Sequence, residues 1–142
     1  MADVKGVNNT IADAPAPSSV LDGGQLGGNV KVMYDSYEAD SLASGSTIEV
    51  GKELPAGARV LGINLYNDAL GTGVTLAVGD SDDADRYLAA ASAASAGKLE
   101  ANLADGIGYA IGTNDGDNQV LITTGGAAAT GTIKAVILYS HE

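Results

Sequence analysis

The chain contains no cysteine. Disulfides, thiolate catalysis and soft-metal sites are therefore excluded. Tryptophan and phenylalanine are also missing, so a core has to be filled by Val, Ile, Leu and Ala with several of the six tyrosines. Basic residues are scarce: seven Lys and Arg stand against 18 Asp and Glu, a net charge of -11. Such a chain is repelled by phosphate backbones and anionic lipid, which argues against nucleic-acid and membrane partners. The three prolines all fall at or before position 55, and no run of about 18 apolar residues occurs. No basic, apolar, small-residue leader opens the chain, so it reads without a signal peptide or membrane span. The single histidine, His141, is the penultimate residue and poor ground for a Ser/His/Asp triad.

What is present is aliphatic alternation punctuated by glycine. The 142 residues make one domain's worth of chain, and 20 Gly argue for many turns and few long helices. The composition changes near residue 28. Residues 1–28 carry isolated apolar side chains, Val4, Val7, Ile11, Val20, Leu21 and Leu26, among polar residues, Pro15, Pro17 and paired glycines. This pattern predicts an extended arm rather than a helix. Its apolar residues are the expected partner-binding positions, filling pockets while the backbone adds to a neighbour's sheet edge.

Residues 29–142 follow a period near two, the signature of strands. Val30, Val32 and Tyr34 alternate with Lys31, Met33 and Asp35, as in a half-buried strand, and Thr47 to Val50 repeat the pattern. Pro55 and Gly57 mark a turn. Beyond it, Leu61, Ile63 and Leu65 are placed on one face, opposite Val60, Asn64 and Tyr66. The segment NDALGTG then leads to Val74–Val78, and the pair is expected to form a hairpin. Tyr87–Ala89 and Leu99–Leu103 are assigned as strands around an Ala/Ser loop, with a helix as the competing reading of the alanine-rich stretch. Ile107, Tyr109 and Ile111 alternate; residues 114–118 have turn chemistry; Gln119–Thr123 and Thr132–Tyr139 complete the set. Because Val136 to Leu138 are apolar on both faces, the last strand should be central, with a second layer or a neighbouring subunit over its outer side. The expected fold is an all-β antiparallel sandwich or jelly roll with an extended N-terminal arm, and the surplus of apolar strand faces favours an oligomer.

The densest charge lies in GDSDDADRY, where Asp80, Asp82, Asp83 and Asp85 fall within six residues. An EF-hand loop counted from Asp80 would need a ligand at Ala84, glycine at Asp85 and glutamate at Ala91, so that pattern fails. The carboxylates are either a hard-cation site of another design or a solvated corner whose Asp side chains accept bonds from nearby backbone donors; the corner is the preferred reading. The glycine-rich runs GGQLGG and TTGGAAATGT lack the residues of a phosphate-binding loop and read as flexible joints or loops. No cofactor and no enzymatic activity are expected.

The pieces LPAGARV, LYNDALGTGVTLAVGD, DADRY and TTGGAAATGTI, spread over roughly residues 46–140, resemble the small head-associated structural proteins of tailed bacteriophages. The resemblance implies a capsid decoration or cement protein on the outer surface of the virion. Its implied partners are the major capsid protein, across whose subunit junctions it binds, and further copies of itself, a homotrimer in preference to a dimer. A tail, baseplate or fibre-head component and a carbohydrate-binding sandwich are the alternatives.

Overall fold

In a computed structural model, which describes residues 2, 4, 5, 27–102, 104, 106–112 and 118–141, every regular element is a strand. Alternating aliphatics form β1 (Asn29–Leu42), β2 (Thr47–Val50), β3 (Arg59–Asn67) and β4 (Thr75–Gly79). They continue in β5 (Leu88–Ser92), β6 (Gly97–Glu100), β7 (Val120–Gly125) and β8 (Ala129–His141). The strands build two antiparallel four-stranded sheets, ordered β1-β8-β3-β6 and β2-β7-β4-β5. First pairs with last, second with seventh, third with sixth and fourth with fifth, as in a long ribbon rolled into two layers. This is the jelly-roll arrangement.

Between the sheets lies an aliphatic core in which Val60, Ile63, Leu65, Leu76, Val78, Ile122, Ile133 and Ile137 are at most 2% exposed. Each such side chain contributes roughly 1.5–3 kcal/mol by leaving water. Of the tyrosines, Tyr87 and Tyr139 turn inward, whereas Tyr34, Tyr37 and Tyr66 stay exposed. The last strand is central, between β1 and β3, as its two apolar faces require.

Several expectations are corrected. β3 and β4 do not form a hairpin: β3 pairs with β8 and β6, β4 with β7 and β5. The NDALGTG segment carries the chain from one sheet to the other instead. Buried Leu70 anchors that crossing, its backbone N–H donating to Ala93 and its carbonyl accepting from Thr130. Within β3 a bulge between Val60 and Gly62 breaks the alternation, so Val60 joins Ile63 and Leu65 inside while Leu61 points out.

In β1 the buried face is not the more apolar one. Cross-strand partners share a face, and Met33, Asp35 and Tyr37 lie opposite the buried Ile137, Ala135 and Ile133 of β8. Met33 accordingly packs against the core, and Val30, Val32 and Tyr34 face outward.

The alanine-rich stretch forms strand, loop and strand, not a helix. Asn67, buried at the end of β3, fixes the loop by donating from Nδ2 to the carbonyls of Asp68, Ala93 and Ser95. The alternation at 107–111 gives only a short ladder against the start of β3: Gly108 N–H donates to Val60, Val60 to Tyr109, and Ile111 to Ala58. Apart from Asn118, the expected turn at 114–118 lies outside the described residues.

Candidate functional site

The acidic corner closes the β4–β5 hairpin. Its first carboxylate is unlike the others, because Asp80 is 7% exposed and its oxygens are engaged from several sides. Oδ1 accepts from the backbone N–H groups of Asp82 (3.1 Å) and Asp83 (2.9 Å), and Oδ2 accepts from Arg86 Nε at 2.6 Å. The Asp80 N–H donates to Asp83 O at 2.9 Å, which curls the loop tightly over Gly79. That glycine is required, since a Cβ there would lie 2.0 Å from the Asp83 carbonyl oxygen.

Arg86 also stacks on the Tyr109 ring, 4.0 Å from its centroid. The chain Asp80–Arg86–Tyr109 therefore ties the β4–β5 corner of one sheet to the segment flanking β3 in the other. The hydrogen bond to Asp80 raises the Arg86 pKa further. Asp82, Asp83 and Asp85 are exposed, and Asp83 turns its Oδ1 to the Asp85 N–H. Among the described residues no three His, Asp or Glu side chains converge as a metal site would need. In this geometry Asp80 is the ion-paired anchor, and Asp82, Asp83 and Asp85 form a solvated rim.

Tyr87, next in the chain, is 1% exposed. Burial, with the nearby Asp80 charge, pushes its phenol above the ordinary range. A pKa higher in the folded than in the unfolded chain gives stability that is complete below the unfolded value of about 10 and lost as pH rises toward the folded one. Stability of the intact protein should fall by up to about 1.4 kcal/mol per pH unit above pH ~10 from this group alone. Urea midpoints at pH 9 and 11 check it: the drop should be smaller in Tyr87→Phe, and equal drops would contradict the assignment.

Of the expected partner-binding residues, Val4 is 88% exposed, while Val7, Ile11, Val20, Leu21 and Leu26 lie outside the described residues. A second apolar surface, not assigned from the sequence, emerges on the outer face of the β1-β8-β3-β6 sheet. Val30, Val32 and Tyr34 are 60 to 65% exposed there. They stand beside the half-buried Val136 and Leu138, with which Tyr34 and Val32 pair, and Leu61 lies beyond on β3. The missed signal is the length of β1: its inward set is fixed by Ala39 and by the β8 register, not by its most apolar residues. On the other side of β1, where the edge strands β1 and β2 face each other across the sandwich, a groove of about 150 Å³ opens. Its lining includes Ile48, Ile122 and Ile133, with Asp35 and Glu49 also bordering it.

The molecule is thus a two-sheet jelly roll with an outward apolar row and a clamped acidic corner. No protein-family model and no curated protein sequence matches the chain. Among solved structures, it is 31% identical to a chain of the cyanophage Pam1 capsid asymmetric unit, with a TM-score of 0.70 over 92% of this chain and 96% of that one. The chain belongs to the family of phage capsid proteins represented by that Pam1 chain. The fold is shared with a chain of the capsid of Ralstonia phage GP4 (20% identity, TM-score 0.62, 90% of each chain). It is shared also with a chain of the acid-stable capsid of Helicobacter pylori bacteriophage KHP30 (15% identity, TM-score 0.58, 79% of this chain and 87% of that one).

Proposed function

We propose that the protein is a head decoration, or cement, protein that binds the outer surface of a phage capsid and stabilises junctions between major capsid protein subunits. The observation that carries this reading is the likeness to the Pam1 capsid chain over nearly the whole length of both. A rigid two-sheet body with no nucleic-acid-attracting charge suits an outer position, since the net charge of -11 opposes contact with packaged DNA. Bridging adds contact area that must be broken before capsomers separate under internal pressure. Residues 1–28 supply an arm whose spaced apolar residues, Val4, Val7, Ile11, Val20, Leu21 and Leu26, fill pockets on the shell while its backbone extends a sheet edge. A homotrimer places three arms around one junction and multiplies weak contacts into avid binding.

The test is add-back to purified heads lacking the protein. The full chain should co-sediment with heads and raise the temperature at which they release DNA, and a chain lacking residues 1–26 should bind at least tenfold more weakly. No co-sedimentation of the full chain would overturn the proposal; equal binding of the truncated chain would remove the arm from it.

A further inference from the structure

The outer face of the β1-β8-β3-β6 sheet changes character along its length. At its apolar end, register sets Val32 and Tyr34 of β1 beside Leu138 and Val136 of β8. Toward the other end the same face carries Ser36, Lys134, Tyr66 and Lys98 in one row across the four strands, and Glu38 beside Thr132 in the next. Asp68 follows where β3 ends. Here a depression of about 150 Å³ opens, lined by Tyr66, Asn67, Asp68, Gly97, Thr132 and Lys134.

Hydrogen bonding decides which of these groups are already engaged. Glu38 accepts from Thr132 Oγ1 at 2.5 Å, and Lys98 is paired with Glu100 at 2.6 Å. Asp68 is held against β8: its N–H donates to Thr132 O at 3.0 Å, and its Oδ2 accepts from the Thr132 N–H at 3.2 Å. Among the described residues nothing donates to the other Asp68 oxygen, and the exposed Lys134 ammonium has no carboxylate partner. Tyr66 is 42% exposed, with Lys98 Nζ 5.8 Å from its ring centroid. A tyrosine between two lysines is ordinary sheet-surface packing. A disengaged carboxylate oxygen and a disengaged ammonium lining one depression beside that ring are not required by such packing.

We propose that the depression is a carbohydrate-binding site that takes the terminal ring of a neutral polysaccharide. The C–H face of the sugar lies on Tyr66, one hydroxyl donates to Asp68 and a neighbouring one accepts from Lys134. One anion beside one cation selects against charged ligands, because Asp68 repels phosphates and uronates and Lys134 repels amines. A sugar hydroxyl both donates and accepts, so it satisfies both groups without a net charge of its own. The opening is well under the roughly 300–1,000 Å³ of sites that enclose a ligand, so contact is limited to one ring and is weak. On the decoration reading, many copies on one head would raise that weak contact to avid attachment. The site itself does not depend on that reading.

The test uses the full chain and saturation-transfer NMR with glucose, galactose, rhamnose and N-acetylglucosamine, alongside an array of bacterial surface polysaccharides. At least one neutral sugar should bind with a dissociation constant of about 1 mM. Tyr66→Ala should weaken binding about tenfold, and Lys134→Met and Asp68→Asn about fivefold each, with circular dichroism spectrum and thermal midpoint unchanged. Tyr34→Ala, at the apolar end of the same face, should bind as wild type does. No binding to any probe, a preference for acidic sugars, binding that survives both Tyr66→Ala and Lys134→Met, or an equal loss in Tyr34→Ala would each overturn the inference. Head binding is scored separately. A chain that binds sugar and ignores heads keeps this site and loses the decoration role, whereas one that binds heads and no sugar does the reverse.

Discussion

Asp80→Ala is expected to cost the protein about 3 kcal/mol of unfolding free energy, against no more than about 0.5 kcal/mol for Asp82→Ala two residues on. Both are aspartates of the same acidic run, and only the structure separates them. Removing the Asp80 carboxylate deprives the Asp82 and Asp83 backbone N–H groups of their acceptor and leaves the Arg86 guanidinium without its anion. The Arg86 side chain is 16% and that of Asp80 8% exposed, so water replaces little of the lost interaction. The figure is placed at the lower end of the roughly 3–5 kcal/mol that breaking a buried pair costs, because some solvent does reach the arginine. Asp80→Asn should fall between the two, since its amide oxygen can still accept from the two N–H groups but carries no charge toward Arg86. Urea denaturation at neutral pH reads all three. Millimolar calcium should leave every midpoint where it was; a calcium-dependent rise in wild type that Asp80→Ala abolishes would restore the cation reading of this corner.

The contrast between Asp80 and Asp82 also shows where sequence reasoning stopped. Period-two alternation located most of the strands because burial on one face imposes it chemically, and the doubly apolar Val136–Leu138 segment announced the central position of β8. Partnering is a different matter. Nothing local in the NDALGTG segment tells a hairpin from a crossing between sheets; that is decided by Leu70, which can be buried only if the chain leaves one layer for the other. The inward face of β1 is likewise not decided by its most apolar residues. Its apolar residues at 30, 32 and 34 have the pattern of a buried row, yet the register with β8 places Met33 and Ala39 inside. The role of Asp80 was hidden because four neighbouring carboxylates are chemically identical until one of them meets Arg86.

Gly126→Ala should be among the most damaging single substitutions in the domain, and pairing it with Gly45→Ala separates two causes. Both glycines hold positive φ, +80° and +86°, where any Cβ costs roughly 1–2 kcal/mol. At Gly45 a Cβ would meet nothing within 4 Å, so that backbone penalty is the whole effect. At Gly126 it would lie 1.9 Å from the carbonyl oxygen of Gly73, a backbone atom with no rotamer to escape into. One of the two chains must move, adding about 1–3 kcal/mol of overpacking. Of the two readings of the TTGGAAATGT run, flexible joint or loop, the structure has the loop: residues 126–128 make a tight β7–β8 connection held against the turn before β4, and Gly126 answers to proximity rather than mobility. Gly126→Ala should lose about 2–5 kcal/mol and Gly45→Ala about 1 kcal/mol in denaturant midpoints measured side by side. Equal losses would mean that the Gly73 turn yields freely, and with it the claim that the two connections are locked together.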